Sequence, residues 1–474
     1  MPQQVSSPRR SPNLPYLADS GVLRLLTLCG LYVAQGLPWG FIAVAITATL
    51  AARGLDPGEI AQVTILATLP WSFKWIWGPL IDRFRLPIMG RRRPWILLAQ
   101  SGMILVLLLL AAVPALTEDL GSLKYAIFFV NCFASLQDVS VDALAVDLLK
   151  PEERGRANGL MYGSSYAGNA LGGAGLGVLA ALVSLQFAFL ILAICVALIM
   201  LLPLLLRERP GDQFLSFRRD TRHHSVDTGC QSSEDAREDS GSDRPCRESG
   251  QMSPPSVEGP GSLLQVLGLF LRAFSILPTQ AGLLLALLAS ITTGLFGAFM
   301  SPLMIQELGW TQVEYTSITG SIVFVGLGGS IVGGFLADLV GPRRLAMVSG
   351  LGMALVWFVM AMTPHLWSVR PSMITYMIME TALGGMFSVS LFALFMGISW
   401  KKMAATQFTT YMAMLNLSRI LGATLATKLD ELDVTYEQVF LLSTGVTILA
   451  VLVLPIVSPL RAQRKFNEME SGGV

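Results

Sequence analysis

The chain has 474 residues, of which 53% are hydrophobic and 14% are charged, and its formal net charge is +1. Soluble domains carry about 25% charged residues, and the mean hydropathy of this chain is +0.59, so the composition excludes an ordinary soluble protein and indicates a chain embedded in a lipid bilayer. The basic residues are scattered over short turns rather than gathered on one face, which excludes a nucleic-acid partner.

Apolar segments of about 20 residues, long enough to cross some 30 Å of hydrocarbon as helices, occur about twelve times along the chain. They lie at 24–51, 59–82, 95–115, 124–149, 158–183, 185–206, 279–304, 314–340, 345–363, 372–399, 404–427 and 438–460. This pattern predicts an all-α integral membrane protein with two six-helix halves.

One long polar stretch separates the two halves. It is rich in Ser, Asp, Glu, Arg and Pro, so it cannot bury enough apolar surface to offset its ordering entropy, and we expect disorder. Its adjacent residues His223 and His224 indicate a solvated segment rather than a metal site. The predicted divisions are a tail at 1–23, a first half at 24–206, a linker at 207–262, a second half at 263–460 that begins with an interfacial amphipathic helix, and a tail at 461–474.

Orientation follows from the Lys and Arg residues of the short loops, which favour the cytoplasmic side of a membrane. Most of them fall at one set of helix ends. The other set carries only Arg53, Lys124, Arg370 and Lys428. With an even number of spans, both termini and the linker are expected in the cytoplasm, and the location that we expect is a bacterial inner membrane.

Two similar turns lie about half the chain apart, after the second and the eighth predicted spans. The first runs from Gly78 through the arginines that follow Gly90, and the second is GGFLADLVGPRR at 333–344. Each turn is either a topology anchor at the lipid headgroups or a latch that holds the halves in one conformation. The candidate gating residues are Asp82, Arg91, Arg92, Asp338, Arg343 and Arg344.

These paired turns, under two six-helix halves, resemble the major facilitator superfamily of secondary transporters. The second turn closely matches the loop signature of that superfamily, whereas the first contains additional residues at 84–89. Further short sequence motifs resemble those of the AmpG-type muropeptide permeases and the related acetyl-coenzyme A transporters. These motifs are QGLP at 35–38, FKWIWGP at 73–79, Gln137-Asp138 with Asp142, AATQF at 404–408 and NLSR at 416–419. The RPW sequence at 93–95 is similar to cation-coupled sugar symporters.

Ionisable residues inside spans are costly and usually face a cavity or a partner. Lys74 and Asp142 each lie eight residues from the same membrane boundary, so equal depth predicts a Lys74–Asp142 pair. Asp138 lies one helical turn from Asp142, on the same face. It is left without a cation of its own and is the candidate proton site.

The second half offers a similar pair. Glu380 and Arg419 each lie nine residues from the other membrane boundary, so matched depth predicts a Glu380–Arg419 ion pair. For both predicted pairs, the alternative is a static ion pair that only fixes helix packing.

Other polar and aromatic residues are candidates for a central substrate cavity, as hydrogen-bonding groups or a stacking platform for sugars. They are Gln35, Trp39, Tyr162, Asn169 and Tyr411.

We therefore expect a secondary transporter that works by alternating access and is not an enzyme. It is expected to act as a monomer in the lipid bilayer, with a small-molecule substrate, protons as coupling ion, and no cofactor or metal. There is no phosphate-binding loop for ATP. The resemblance implies import of a peptidoglycan fragment such as an anhydromuropeptide. Alternatives are an acyl-coenzyme A transporter, a cation-coupled sugar symporter, and a non-transporting sensor on the same scaffold.

Overall fold

A computed structural model describes residues 16–83, 89–149, 154–208 and 263–471. Most of the predicted linker and the first residues of the chain lie outside these ranges. The described residues form twelve long helical segments that run along one bundle. They are α1 (Gly21–Ala52), α2 (57–83), α3 (Arg93–Ala112), α4 (Leu120–Leu148), α5 (154–182), α6 (Leu185–Leu205), α7 (Leu277–Glu307), α8 (Gln312–Val340), α9 (Pro342–Met362), α10 (Arg370–Ile398), α11 (Ala404–Glu431) and α12 (Tyr436–Val453).

Two further helices of more than ten residues lie outside the spans in the described part of the chain. One is Leu263–Ala273, which coincides with the predicted amphipathic helix, and the other is a C-terminal helix, Pro459–Ser471. We call α1–α6 the N-half and α7–α12 the C-half. The linker face is the end of the bundle where α6 ends and α7 begins, and the opposite face is the end where α1 ends and α2 begins.

Nine of the twelve segments are long and apolar enough to cross a membrane. The other three are α2, α5 and α11, which are broken or rich in polar and small residues. These three helices lie between the halves, where α2 packs on α11 and α5 packs on α8. Their polar side chains are tolerated because they face protein rather than lipid.

Helix starts at the opposite face are set by capping side chains. The Asp119 carboxylate accepts the N–H of Ser122 at 2.7 Å and begins α4. Thr311 and Glu314 form a reciprocal capping box at the start of α8. Each cap satisfies backbone N–H groups that the first turn of a helix leaves unpaired.

Small residues let α1 and α5 approach closely. An added Cβ at Gly40 would lie 2.0 Å from the carbonyl oxygen of Asn169, and one at Gly172 would lie 2.1 Å from that of Leu37. The two backbones are therefore in direct contact, as is common where small residues line a membrane helix interface.

The second span is not a straight helix. After Pro70 the α-helical geometry stops at Phe73, which has φ −109° and ψ 10°, and Lys74–Ile76 form a single tighter turn before the helix resumes. A proline removes a backbone donor and disturbs the preceding turn. Lys74 therefore leaves the helix axis in a direction that a regular helix would not give it.

A carboxylate from the end of α6 organises the turn that precedes α3. The Glu208 side chain accepts the backbone N–H groups of Arg91, Arg92 and Arg93, at 3.1, 2.9 and 2.6 Å. Gly90 has φ +95°, and a Cβ there would lie 2.7 Å from the Glu208 carboxylate. The sequence assigned Glu208 to the disordered linker. That assignment was wrong, because this residue is buried and belongs to the N-half.

Candidate functional site

A cluster of ionisable residues lies inside the N-half, where α2 and α4 face each other. The Asp138 carboxylate is only 5% exposed. It accepts a hydrogen bond from Lys74 Nζ at 2.9 Å and another from Gln35 Nε2 at 2.7 Å. One charged and one neutral donor thus satisfy both oxygens, which is what a buried carboxylate requires.

The second carboxylate of α4 has a different environment. Asp142 Oδ1 accepts the hydroxyl of Tyr32 at 2.5 Å, and the Tyr32 ring packs edge to face on Tyr162 at 5.8 Å. Asp142 and Tyr162 are both exposed among the described residues, and each of them contacts Tyr32 of α1. Both residues lie in the part of their helices that is nearer to the linker face.

This arrangement corrects the predicted Lys74–Asp142 pair. Lys74 binds Asp138, and in the described residues no cation lies within ion-pair distance of Asp142. The depth argument assumed a regular second span, whereas the break at Phe73 redirects Lys74 towards the deeper carboxylate. The carboxylate without a cation is consequently Asp142 and not Asp138.

Two tryptophans continue the cluster towards the C-half. The Trp39 and Trp71 rings meet edge to face at 5.8 Å, and the Trp71 indole donates to Asn131 Oδ1 at 2.9 Å. Lys74 Nζ lies 5.8 Å from the Trp71 ring centre, a distance at which a cation is attracted by the aromatic face.

The C-half contributes Arg419, which lies about half-way along α11. Its guanidinium carbon is 5.4 Å from the Trp39 ring centre. Its Nε is buried and has no hydrogen-bond partner among the described residues. One helical turn earlier, Asn416 Nδ2 donates to the backbone carbonyl of Trp71 at 3.3 Å. Arg419 and Asn416 thus bring α11 against the tryptophans of the other half.

The predicted Glu380–Arg419 pair was wrong for the described residues, where no ion pair joins the two side chains. The Glu380 carboxylate instead accepts the hydroxyl of Thr381 at 3.3 Å. Matched depth did not bring the residues together because α10 packs mainly on α8 and α9, whereas α11 packs mainly on α2 and α7. Depth along an axis says nothing about which neighbour a helix faces.

Polar contacts join the halves near the opposite face. The Asp430 carboxylate of α11 accepts the N–H of Gly58, at the start of α2, at 2.9 Å. Gln306 Nε2 donates to the carbonyls of Ala51 and Leu55, both at 2.9 Å. These contacts join the halves at the opposite face, whereas Asp142 is exposed on the linker side of the cluster.

The comparison with protein families identifies the fold. The model of the Major Facilitator Superfamily matches residues 28–279 and 282–471. The chain belongs to the Major Facilitator Superfamily. This membership confirms the predicted all-α membrane architecture and the expectation of a transporter rather than an enzyme.

Relatives and solved structures agree with the superfamily assignment. An anhydromuropeptide permease of Escherichia coli is 34% identical over 125 residues, which are 26% of this chain and 24% of that protein. An uncharacterized protein of Haemophilus influenzae is 30% identical over 177 residues, 37% of this chain and 41% of the relative. The alignments thus span less than half of these relatives. A crystal structure of a mutant nucleoside transporter NupG has a TM-score of 0.66 at 13% identity and covers 91% of this chain and 99% of that one.

The signature turns of the superfamily are placed at the linker face. Arg92 Nε binds Asp147 at 2.9 Å within the N-half, and the backbone of Arg91 is held by Glu208. In the second turn, Asp338, Arg343 and Arg344 are exposed. The side chain of Asp82 lies outside the described residues, as do the side chains at 154 and 156.

Four of the five predicted cavity residues lie at the interface of α1 with its neighbours. The fifth residue, Tyr411, lies elsewhere. Gln35 binds Asp138, Trp39 contacts Trp71 and Arg419, Tyr162 packs on Tyr32, and Asn169 packs on α1. Tyr411 is instead 0% exposed in the C-half core, where its ring stacks on Phe395 at 4.7 Å. The prediction for Tyr411 was wrong because an aromatic residue in a polar span can also face its own half.

Sequence reasoning missed three residues of the site. Tyr32 lies one helical turn before Gln35 on the same face of α1. Trp71 lies just before the break in α2, and Asn416 is the first residue of the NLSR motif that contains Arg419. The helical spacing of Tyr32 and Asn416 from residues already singled out was the available signal.

Proposed function

We propose that the chain is a secondary active transporter that couples proton entry to the import of an organic solute by alternating access. The observation that carries this proposal is the cluster of ionisable residues inside the N-half, whose Asp142 is exposed on the linker side while polar contacts join the halves at the opposite face. Ionisable groups at membrane depth are costly, and in transporters they form proton and substrate pathways.

Within that proposal, Asp142 carries the proton. The groups that face it are Tyr32 from α1, Lys74 from α2, Asp138 from α4 and Tyr162 from α5. Lys74 is engaged by Asp138, and no other cation of the described residues lies within ion-pair distance of Asp142, so protonation of Asp142 removes a charge that lacks a direct counterion. Its exposure on the linker side would give protons a route from the linker face, and closure of that face would isolate them.

The substrate that we propose is a peptidoglycan fragment of the anhydromuropeptide class. Support comes from the similarity to the anhydromuropeptide permease of Escherichia coli and from the pair of tryptophans, which suit the apolar faces of sugar rings. The alternatives for a transporter are an acyl-coenzyme A and a sugar that is symported with a cation.

The same distribution of charge supports an orientation. We propose that the linker face is cytoplasmic, because it carries most of the Lys and Arg residues of the short loops. The paired turns would then latch the halves when the linker face closes. Asp338, Arg343 and Arg344 are exposed in the present structure. In the state with a closed linker face, these side chains would contact the other half.

Uptake into proteoliposomes tests the function. Purified protein is reconstituted, and accumulation of labelled anhydromuropeptide, acetyl-coenzyme A or disaccharide is followed with and without an imposed pH gradient. We expect gradient-dependent accumulation of anhydromuropeptide. Equal uptake with and without the gradient would contradict proton coupling, and selective uptake of another solute would replace the substrate.

A sensor on the same scaffold is separated by a deletion. Removing residues 215–255, which lie outside the described ranges, should leave the uptake of a transporter intact because the twelve spans are unchanged. A sensor that signals through the linker would show no uptake in either form, and the deletion would abolish its signal.

A further inference from the structure

Among the described residues, no carboxylate lies within ion-pair distance of Arg419. Arginine keeps its charge at any accessible pH, and this one lies at mid-depth with its Nε buried and without a hydrogen-bond partner among the described residues. A charge in such a place is expensive unless an anion or several acceptors face it. The carboxylate predicted to do so, Glu380, accepts from Thr381 instead.

The surroundings of Arg419 favour an external anion. The guanidinium group lies over Trp39, whose ring meets Trp71, and these indoles offer apolar faces beside the charge. A planar guanidinium presents parallel N–H groups that match the two oxygens of a carboxylate or phosphate. The position therefore combines a donor pair for an oxyanion with a wall for the rest of a solute.

The charges of the N-half compensate Arg419 only while Asp142 is ionised. Lys74 and Asp138 form an ion pair at 2.9 Å, which leaves no net charge from those two residues. Asp142 is bound to Tyr32 on the linker side of the cluster. When Asp142 is protonated, the described cluster retains the single positive charge of Arg419, and an anionic solute restores neutrality.

We propose that Arg419, with Trp39, forms the binding site for an anionic group of the transported solute, an oxyanion of the carboxylate or phosphate class. This inference rests on the proposed transport function and narrows its substrate class. Neutral sugars are excluded as preferred substrates, and proton binding at Asp142 and anion binding at Arg419 assist each other through the charge balance.

Equilibrium binding to the detergent-purified full chain tests the site without requiring transport. Titration calorimetry compares three probes, an anhydromuropeptide that carries carboxylates, acetyl-coenzyme A that carries phosphates, and neutral diacetylchitobiose. We expect one of the two anionic probes to bind at least about tenfold more tightly than the neutral one, in line with a charge-assisted hydrogen bond. The stronger probe identifies the source of the oxyanion.

Variants connect this preference to the residue. Arg419→Gln should weaken binding of the anionic probe by about tenfold or more and leave diacetylchitobiose unchanged, while Arg419→Lys should retain part of the preference because it keeps the charge but not the planar fork. Arg370→Gln is the matched control, since it removes an arginine that binds Glu314 at the opposite face.

Undiminished anion binding by Arg419→Gln, an equal loss for the neutral probe, or a wild-type protein that binds no anionic probe would each overturn the assignment. Failure of the proposed transport function can be distinguished from failure of the anion site. Binding that depends on Arg419 without gradient-driven uptake would contradict the proton coupling alone, whereas gradient-driven uptake with unchanged binding by the variant would contradict the anion site alone.

Discussion

The carboxylate of Asp430, at the end of α11, accepts the backbone N–H of Gly58, at the start of α2, at 2.9 Å. The contact crosses between the halves at the opposite face. It also places a negative charge at the N-terminus of a helix, where the unpaired N–H groups and the helix dipole favour an anion. A contact of this kind stabilises the conformation that is closed at the opposite face.

Asp430→Ala should therefore shift the population towards a conformation open at that face. Loss of about 1 kcal/mol, within the range for a partly exposed hydrogen bond, corresponds to a roughly fivefold change in the equilibrium. Spin labels at Ala52→Cys and Leu432→Cys, both exposed at the opposite face, would report a longer mean distance. An unchanged distance distribution would show that the contact does not contribute to the gate.

The ion pair of Lys74 with Asp138 should stabilise the fold more than it drives transport. Lys74→Met leaves a carboxylate that is 5% exposed without its cation. Breaking a buried pair costs about 3–5 kcal/mol, and we expect a value near the lower end because the Lys74 side chain is 25% exposed. Thermal unfolding should show a large loss for Lys74→Met that Asp138→Asn partly restores, and additive losses would contradict the pairing.

Proton coupling should depend on Asp142. Asp142→Asn keeps a hydrogen bond with Tyr32 possible but cannot be ionised, so accumulation driven by a pH gradient should be lost while exchange of solute across the membrane continues. The control is Glu118→Gln, which removes an exposed carboxylate at the opposite face. Gradient-driven accumulation by Asp142→Asn at the wild-type level would refute the assignment of the proton to Asp142. Asp138 would then be the candidate proton site.

The sequence was sufficient for some levels of this structure and not for others. Hydropathy and the paired turns predicted the twelve spans, because bilayer thickness and repeated loop motifs leave a direct imprint on the sequence. It also identified Lys74, Asp138 and Asp142 as one cluster. It did not predict which carboxylate binds the lysine, because this depends on the break after Pro70 and not on the distance from a membrane boundary.

The C-half shows the same limit. Counting residues placed Glu380 and Arg419 at equal depth, yet helix neighbours are set by the packing of whole helices, and α11 faces α2 and α7. Tyr411 illustrates the related problem of rotation about the axis. It lies on the same helix as Arg419 but faces the C-half core rather than the interface.

The turn before α3 should require the carboxylate of Glu208. Three backbone N–H groups converge on this side chain, and hydrogen bonds to a charged acceptor contribute about 1.5–3 kcal/mol each at most. We expect Glu208→Gln to lower the thermal unfolding temperature, because the amide can offer only one acceptor oxygen. Glu437→Gln, at the start of α12, is the control, and equal stability of the two variants would contradict the role of Glu208.

The contact of α1 with α5 should not tolerate a methyl group at Gly40. The added Cβ would lie 2.0 Å from the Asn169 carbonyl and 2.6 Å from its side-chain oxygen, so the two helices would have to separate. Overpacking of this kind costs about 1–3 kcal/mol, and separation would also displace Trp39, the neighbouring residue that contacts Arg419. Gly40→Ala should therefore reduce both thermal stability and uptake.

Gly163→Ala on α5 is the matched control, because nothing lies within 4 Å of the Cβ that it would add. It should leave stability and uptake close to those of the wild type, and its lower backbone entropy in the unfolded chain favours a small gain in stability. If Gly40→Ala were as stable and active as Gly163→Ala, the close approach of α1 and α5 would not be required for the arrangement of Trp39 and Arg419.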